Sequence, residues 1–174
     1  MKRIFVLALL IMLVSCERDD ICAEGTQTTA RLVISFNNVD SPDDTKNVPA
    51  LTVTPLNTDG SDLQSIVVES TTNTISLPLR IQDDQVTDPI TTTYRLTKDS
   101  DDEDSANSDV INITYTTEFV YISRACGYSS IFNLDNVPAT AFNVEADMDN
   151  WILSFEINNS RIENETEAHI TLLH

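Results

Sequence analysis

Apolar and polar residues alternate at every second position through most of this chain. Ala30, Leu32, Ile34 and Phe36 are separated by Arg31, Val33 and Ser35, and Leu51 and Val53 by Thr52. Ile75, Leu77, Leu79 and Ile81 repeat the pattern, with Pro78 pushing that run toward a sheet edge or a bulge. Thr92, Tyr94 and Leu96 follow. Ile111, Ile113, Tyr115, Thr117, Phe119 and Tyr121 then give a long one-faced run. Trp151, Leu153, Phe155 and Ile157 form another, and Ala168, Ile170 and Leu172 a last one. Successive side chains of a strand point to opposite faces, so a period of two predicts half-buried strands rather than helices. The abundance of Thr, Val and Ile agrees, because branched side chains fit a pleated surface.

Polar stretches at 37–47, 57–62, 82–88, 99–109 and 158–160 separate these runs and read as turns. About seven or eight short strands punctuated in this way predict an all-β fold, an antiparallel β-sandwich, with an immunoglobulin-like arrangement as one form of it. The stretch 133–149 is less regular and reads as a long crossing loop, with one helical turn at 147–150. Trp151 and the four tyrosines mostly fall in the strand runs, so they are expected in the core or half-buried. Nothing in the pattern displays aromatics together as a sugar-stacking platform would.

The N-terminus follows a different rule. Met1-Lys2-Arg3 opens an unbroken apolar run over residues 4–14, and Leu13-Val14-Ser15-Cys16 closes it. The run is too short for a membrane span, which needs about 20 residues, and suits a signal-peptide core of about 7–15. The four closing residues resemble a bacterial lipobox. That resemblance implies cleavage before Cys16, lipidation of Cys16 and anchoring of the mature chain in a membrane. Acyl chains contribute about 0.8 kcal/mol per buried methylene, so two or three hold firmly where one does not. Residues 1–15 are then the leader, 16–27 the lipidated Cys and a short stalk, and 28–174 a single β-sandwich domain.

Charge narrows the partners. The chain has 10 Lys and Arg against 28 Asp and Glu, a formal charge of −18. Lys2 and Arg3 leave with the leader, which makes the mature chain still more acidic. Such a surface repels nucleic acid and anionic head groups. Of the three cysteines, Cys22 and Cys126 remain once Cys16 takes lipid, and an even pair in an exported protein reads as a disulfide. Free thiols or a metal pair are the alternatives. With no C-x-x-C and two histidines, a structural zinc site has little support. A bridge across a loop of about 100 residues is worth at most about 4.7 kcal/mol on the chain-entropy account. It also fixes height: the Cys16–Cys22 stalk spans at most about 20 Å at 3.3–3.6 Å per residue.

Further segments look familiar. Cys16-Glu-Arg-Asp-Asp-Ile-Cys22 is followed by Thr28-Thr-Ala-Arg-Leu-Val-Ile34, and Ala125-Cys126-Gly127-Tyr128 by Trp151 and His169-Ile170. Together they resemble a family of uncharacterised Bacteroidota lipoproteins, all-β and single-domain, across essentially the whole mature chain. The resemblance implies an outer-membrane β-barrel protein as a neighbour and partner, and it carries no catalytic residue. Glu17, Asp19 and Asp20 resemble the acidic export signals of that phylum, with Arg18 interrupting the run. A periplasm-facing anchor and surface display both stay open.

Candidate chemistry is sparse. The acidic run at 99–109 offers oxygen ligands of the kind calcium takes, with Asp99, Asp101, Glu103 and Asp104 as the weak-binding set, assisted by Asp43-Asp44 or Asp83-Asp84. As a calcium-binding helix–loop–helix loop it fails, because Asp104 stands where glycine is needed and Val110 where a bidentate Glu is needed. A solvated hairpin tip is the simpler reading. Within it, Asp104-Ser105-Ala106 resembles the short motif of Bacteroidota protein O-glycosylation, which makes Ser105 the sugar-bearing hydroxyl. The sequons at Asn112, Asn158 and Asn164 are idle in a bacterial chain. His169 and His174 have no nucleophile in motif range, and Gly25, Gly60 and Gly127 build no phosphate cradle. No catalytic residue or cofactor is expected, calcium aside. The expected role is an accessory or structural interaction module in the outer membrane beside a membrane partner. A surface binding protein for a host or environmental glycan or protein is the alternative.

Overall fold

The computed structural model describes residues 21–26, 29–81, 88–135, 137 and 140–174. Cys16 and the lipobox, Glu17, Asp19, Asp20 and the Asp83-Asp84 pair lie outside the described residues. Among those described there is no helix, and two sheets pack face to face as a β-sandwich.

The five-stranded sheet is built on β1 (Leu32–Asn38). One edge of β1 runs parallel to β12 (Ile170–Leu173), with Ile34 opposite Ile170 and Phe36 opposite Leu172. Its other neighbours are β2 (Ser41–Thr45) and β5 (Thr74–Leu77), both antiparallel. β10 (Ser154–Ile157) closes the sheet outside β12. The β1–β12 pair is the one parallel pair among the described residues.

The seven-stranded sheet is antiparallel. β3 (Val48–Leu56) lies between the edge strand β4 (Val67–Thr72) and β6 (Ile90–Lys98). β7 (Asn107–Ser123) is the longest element, 17 residues. Its first half pairs with β6 and with β9 (Phe142–Val144), and its second half with β8 (Gly127–Asn133). β8 in turn pairs with β11 (Arg161–Ile162).

The alternation read from the sequence puts most of the expected side chains inside, with Ile81, Tyr121, Leu153 and Ile157 exposed instead. Leu32, Ile34 and Phe36 of β1 meet Leu51, Val53, Leu96, Ile111 and Ile113 in one core cluster, with Tyr115, Phe132 and Phe142. Each buried Leu, Ile or Phe contributes about 1.5–3 kcal/mol relative to exposure. β4 and β5 are separated by Asn73 alone yet belong to different sheets, so the chain crosses the sandwich there. Thr72 Oγ1 accepts the Thr74 N–H at 3.1 Å and donates to the Thr74 carbonyl at 2.8 Å, which ties the corner.

Several details differ from the expectations. Among the described residues the strands number twelve, because short ones arise where no alternation exists. β2, Ser-Pro-Asp-Asp-Thr, sits in a stretch read as a turn, and pairs through its backbone at a sheet edge, where a proline is tolerated. The segment read as a crossing loop contains β9. The helical turn expected at 147–150 is replaced by side-chain turns: Asn150 Oδ1 accepts the Asp147 N–H, and Asp147 Oδ1 the Asp149 N–H. Short polar side chains compete with helical hydrogen bonding in this way. The run at 75–81 stops as a strand at Leu77, before Pro78. In the Trp151 run, Leu153 is exposed because β10 is an edge strand.

Candidate functional site

The two ends of β7 have opposite character. At about 3.3 Å per residue, its 17 residues hold them about 50 Å apart.

One end is the β7–β8 turn. Ser123 Oγ accepts the Cys126 N–H at 3.0 Å, and Gly127 turns with φ of 72°, a conformation that glycine adopts without penalty. Cys126 is bonded to Cys22, with Cα atoms 4.8 Å apart across a sequence separation of 104. The free-thiol and metal-pair alternatives fall away. The segment leading to β1 also touches β8 where Thr29 Oγ1 accepts the Ser130 N–H at 3.0 Å. Beside the bridge, Tyr121 and Tyr128 face each other across the strands, ring centroids 5.3 Å apart and edge to face. Their exposures are 57% and 69%, and Ile21, Ile122 and Arg124 are exposed with them. No Asp or Glu occurs between Glu118 and Asp135.

Tyr121 and Tyr128 correct the expectation that the tyrosines lie in the core or half-buried. Tyr94 and Tyr115 are buried, with Tyr115 in hydrogen-bond contact with Thr92 Oγ1 at 2.6 Å and donating to the Arg80 carbonyl at 2.9 Å. Tyr121 and Tyr128 are not. The period-two pattern shows which face a residue takes, but not where the opposing layer ends. The acid-free stretch around Cys126 was the available signal for this end.

The other end is the β6–β7 hairpin loop, residues 99–106, as the solvated-tip reading expects. Residues 101–106 are exposed. Asp99 has φ of 50°, and its N–H donates to the Pro49 carbonyl at 3.0 Å. Asp102 organises the turn: its Oδ1 accepts the Asp104 N–H at 3.1 Å, and its carbonyl accepts N–H groups of Ser105 and Ala106. Asp99, Asp101, Glu103 and Asp104 are not gathered around a common point, and among the described residues no group of three or more His, Cys, Asp or Glu is arranged to hold a metal. The loop follows hairpin geometry, which spreads successive carboxylates outward. Ser105 is exposed at the tip.

Asp109, the last acid of that run, leaves the loop and enters the core. It is fully buried, and its carboxylate accepts the Ile152 N–H at 2.8 Å and the Trp151 N–H at 3.3 Å. Burial raises its pKa above the usual carboxylate value, and those two N–H groups oppose the rise. It fixes the Trp151 segment against β7. Trp151 Nε1–H donates to the Leu96 carbonyl at 3.2 Å, and its ring contacts Phe36 and His174.

His169 is equally structural. It is 2% exposed, and its Nδ1 accepts the Val33 N–H at 3.0 Å. Burial lowers its pKa, as it does for His174, whose Nε2 lies 3.3 Å from the Lys46 carbonyl oxygen. Neither histidine faces a nucleophile.

The outer face of the seven-stranded sheet carries an open groove of about 620 Å³, lined among others by Arg80, Thr91, Thr93, Arg95, Asn112 and Glu145. Its polar groups are engaged. Arg95 is paired with Asp62, Arg80 donates to the Thr91 carbonyl at 2.5 Å, and Asn112 bridges Thr93 and Glu145.

No curated protein and no solved structure matches the chain. A family model does match, over residues 50–174, a stretch that takes in Cys126 and most of the core but stops short of Cys22. Since that stretch is well over half of the chain, the protein belongs to the family of unknown function DUF6452.

Proposed function

We propose that this protein is a lipid-anchored lipoprotein of the outer membrane in a Bacteroidota cell, and that its β-sandwich is an accessory or structural interaction module for a partner in the same membrane, such as a β-barrel protein. The Cys22–Cys126 bridge carries the reading. It fastens the chain just after the lipobox to a turn of the folded body, so the domain sits close to its anchor instead of roaming on a linker. Confinement to a surface raises effective concentration without new contacts, so a modest docking face suffices. The edge strand β4 supplies one: Leu63, Ile66 and Val68 are exposed along and before it. An unpaired strand edge recognises another strand through its backbone. The role is docking, not catalysis. The second reading, a surface binding protein for a glycan or protein ligand, is favoured by the open groove of about 620 Å³ on the outer face of the seven-stranded sheet. A glycan on Ser105 at the far loop is compatible with both.

Cross-linking the native lipoprotein in intact cells, with mild detergent extraction and mass spectrometry, tests the choice. One stoichiometric membrane protein, lost in the Cys22→Ser, Cys126→Ser variant, supports the docking module and identifies its partner. Recovery of no membrane protein sinks that reading and turns attention to soluble ligands and the groove.

A further inference from the structure

We infer that the β7–β8 tip is a membrane-contacting element that rests Tyr121, Ile122 and Tyr128 on the lipid interface and so sets the orientation of the whole domain. The inference rests on the lipid-anchor reading above and deepens it.

Position is the first argument. Cys126 lies in the tip, and its partner Cys22 is separated from Cys16 by only Glu17-Arg18-Asp19-Asp20-Ile21. At about 3.3–3.6 Å per residue, the tip stays within about 20 Å of the lipidated residue. Chemistry is the second. Tyrosine has an apolar ring and a polar end, which suits the head-group region. Here two such rings are exposed side by side, with Ile122 exposed in the groove lined by Val120 and Ser129 on the other face of the ribbon and Ile21 exposed on the tether. Charge is the third. Residues 119–134 contain no carboxylate in a chain that has 28 of them, and Arg124 stands exposed at the turn. The acidic loop at 99–106 lies about 50 Å away at the other end of β7. The turn itself is free of carboxylates, while Glu17, Asp19, Asp20 and Glu24 flank Cys22 in sequence and Glu163 lines the groove that Ile122 shares. The turn thus meets an anionic surface with less repulsion than the far loop would.

The tip need not bind membrane by itself. The acyl chains supply the affinity, and contact of three side chains supplies the direction. A sugar is the weaker occupant, because the tyrosine rings meet at 66° and present no flat shared face.

The test uses the mature lipoprotein purified from membranes and reconstituted into phosphatidylethanolamine–phosphatidylglycerol vesicles whose acyl chains carry bromine, a short-range quencher of tryptophan. Tyr128→Trp reports on the tip and Asp104→Trp on the far loop; signal from the buried Trp151 is subtracted with the unsubstituted protein. Insertion a few ångströms into the interface quenches the tip reporter by about twofold or more, while the loop reporter is unchanged from unbrominated vesicles. Equal quenching at both sites overturns the proposal, as does quenching at neither. Mass spectrometry of the Cys16 fragment separates the two levels. An acylated, vesicle-bound protein with an unquenched tip sinks the tip contact alone, whereas an unacylated protein that fails to float with vesicles sinks the anchor reading with it. A Tyr121→Ser, Tyr128→Ser variant should float as before but lose the vesicle protection against trypsin at Arg124. Unchanged protection would also overturn the assignment.

Discussion

Asp109 shows how one residue changes meaning with three ångströms of environment. It ends an acidic run that reads as solvated, yet it alone is enclosed, holding two backbone N–H groups of the Trp151 segment. Asp109→Ala leaves both donors buried and unpaired, at about 1–3 kcal/mol each, and should lower stability by about 3 kcal/mol in urea unfolding. Asp109→Asn retains one acceptor and should cost less. The pH dependence has a definite sign. The folded-state pKa of Asp109 is raised, so its protonated form is favoured in the fold. Its contribution is full below the ordinary carboxylate value of 3.8 and is lost as pH rises through the folded value. His169 acts the other way. Its folded pKa is lowered, so its contribution is present above the ordinary value of 6.5 and lost as pH falls through the folded one. Urea midpoints measured from pH 8 to pH 5 should therefore fall on the acid side of about 6.5. His169→Asn, which keeps an acceptor for the Val33 N–H, should flatten that fall, leaving the share due to His174.

Among the elements, the β6–β7 hairpin makes the sharpest contrast between ligand chemistry and turn chemistry. Asp99 occupies a left-handed conformation, φ of 50°, where a side chain is strained by about 1–2 kcal/mol and glycine is not. Asp99→Gly should thus leave thermal stability unchanged or raise it by up to about 1 kcal/mol, and calcium should shift the melting temperature of neither protein. A calcium-dependent shift abolished by Asp99→Gly would restore the ligand reading. The same elements show what was legible in the sequence. β7 and β6 were readable because Ile111, Ile113 and Tyr115, and Tyr94 and Leu96, alternate over a buried face. β2 was not, because Ser-Pro-Asp-Asp-Thr pairs by backbone alone. β4 was not, because its Val67-Val68-Glu69 lacks alternation and Glu69 departs to a positive φ of 46°. The disulfide was legible from the even pair of cysteines left once Cys16 is read as the lipid-bearing residue. The exposed Tyr121–Tyr128 pair was not, since exposure there depends on where the facing layer stops.

At the scale of the molecule, the sandwich is closed by links far apart in sequence: the parallel β1–β12 pair, the crossing at Asn73 and the bridge from Cys22 to Cys126. Replacing both cysteines by serine should cost about 2–5 kcal/mol, near the chain-entropy value for so long a loop, and the loss should be matched by reduction of the native protein. Calorimetry with and without reductant checks both statements. Residues 50–174, the family match, contain most of the core but neither β1 nor β2, so the strand that completes the sheet around β12 lies upstream of that match. The bridge also governs how the protein behaves under tension. With the chain anchored through Cys16 as proposed, a load between that anchor and any strand after Cys126 can pull out only the chain beyond that residue, because the loop behind it, a sequence separation of 104, is covalently closed to extension. Force entering from the chain before Cys22 is delivered directly into the β7–β8 turn and bypasses β1, so under the proposed anchoring any pull on the far side of the domain works against a short leash whose slack was removed when the two sulfurs joined.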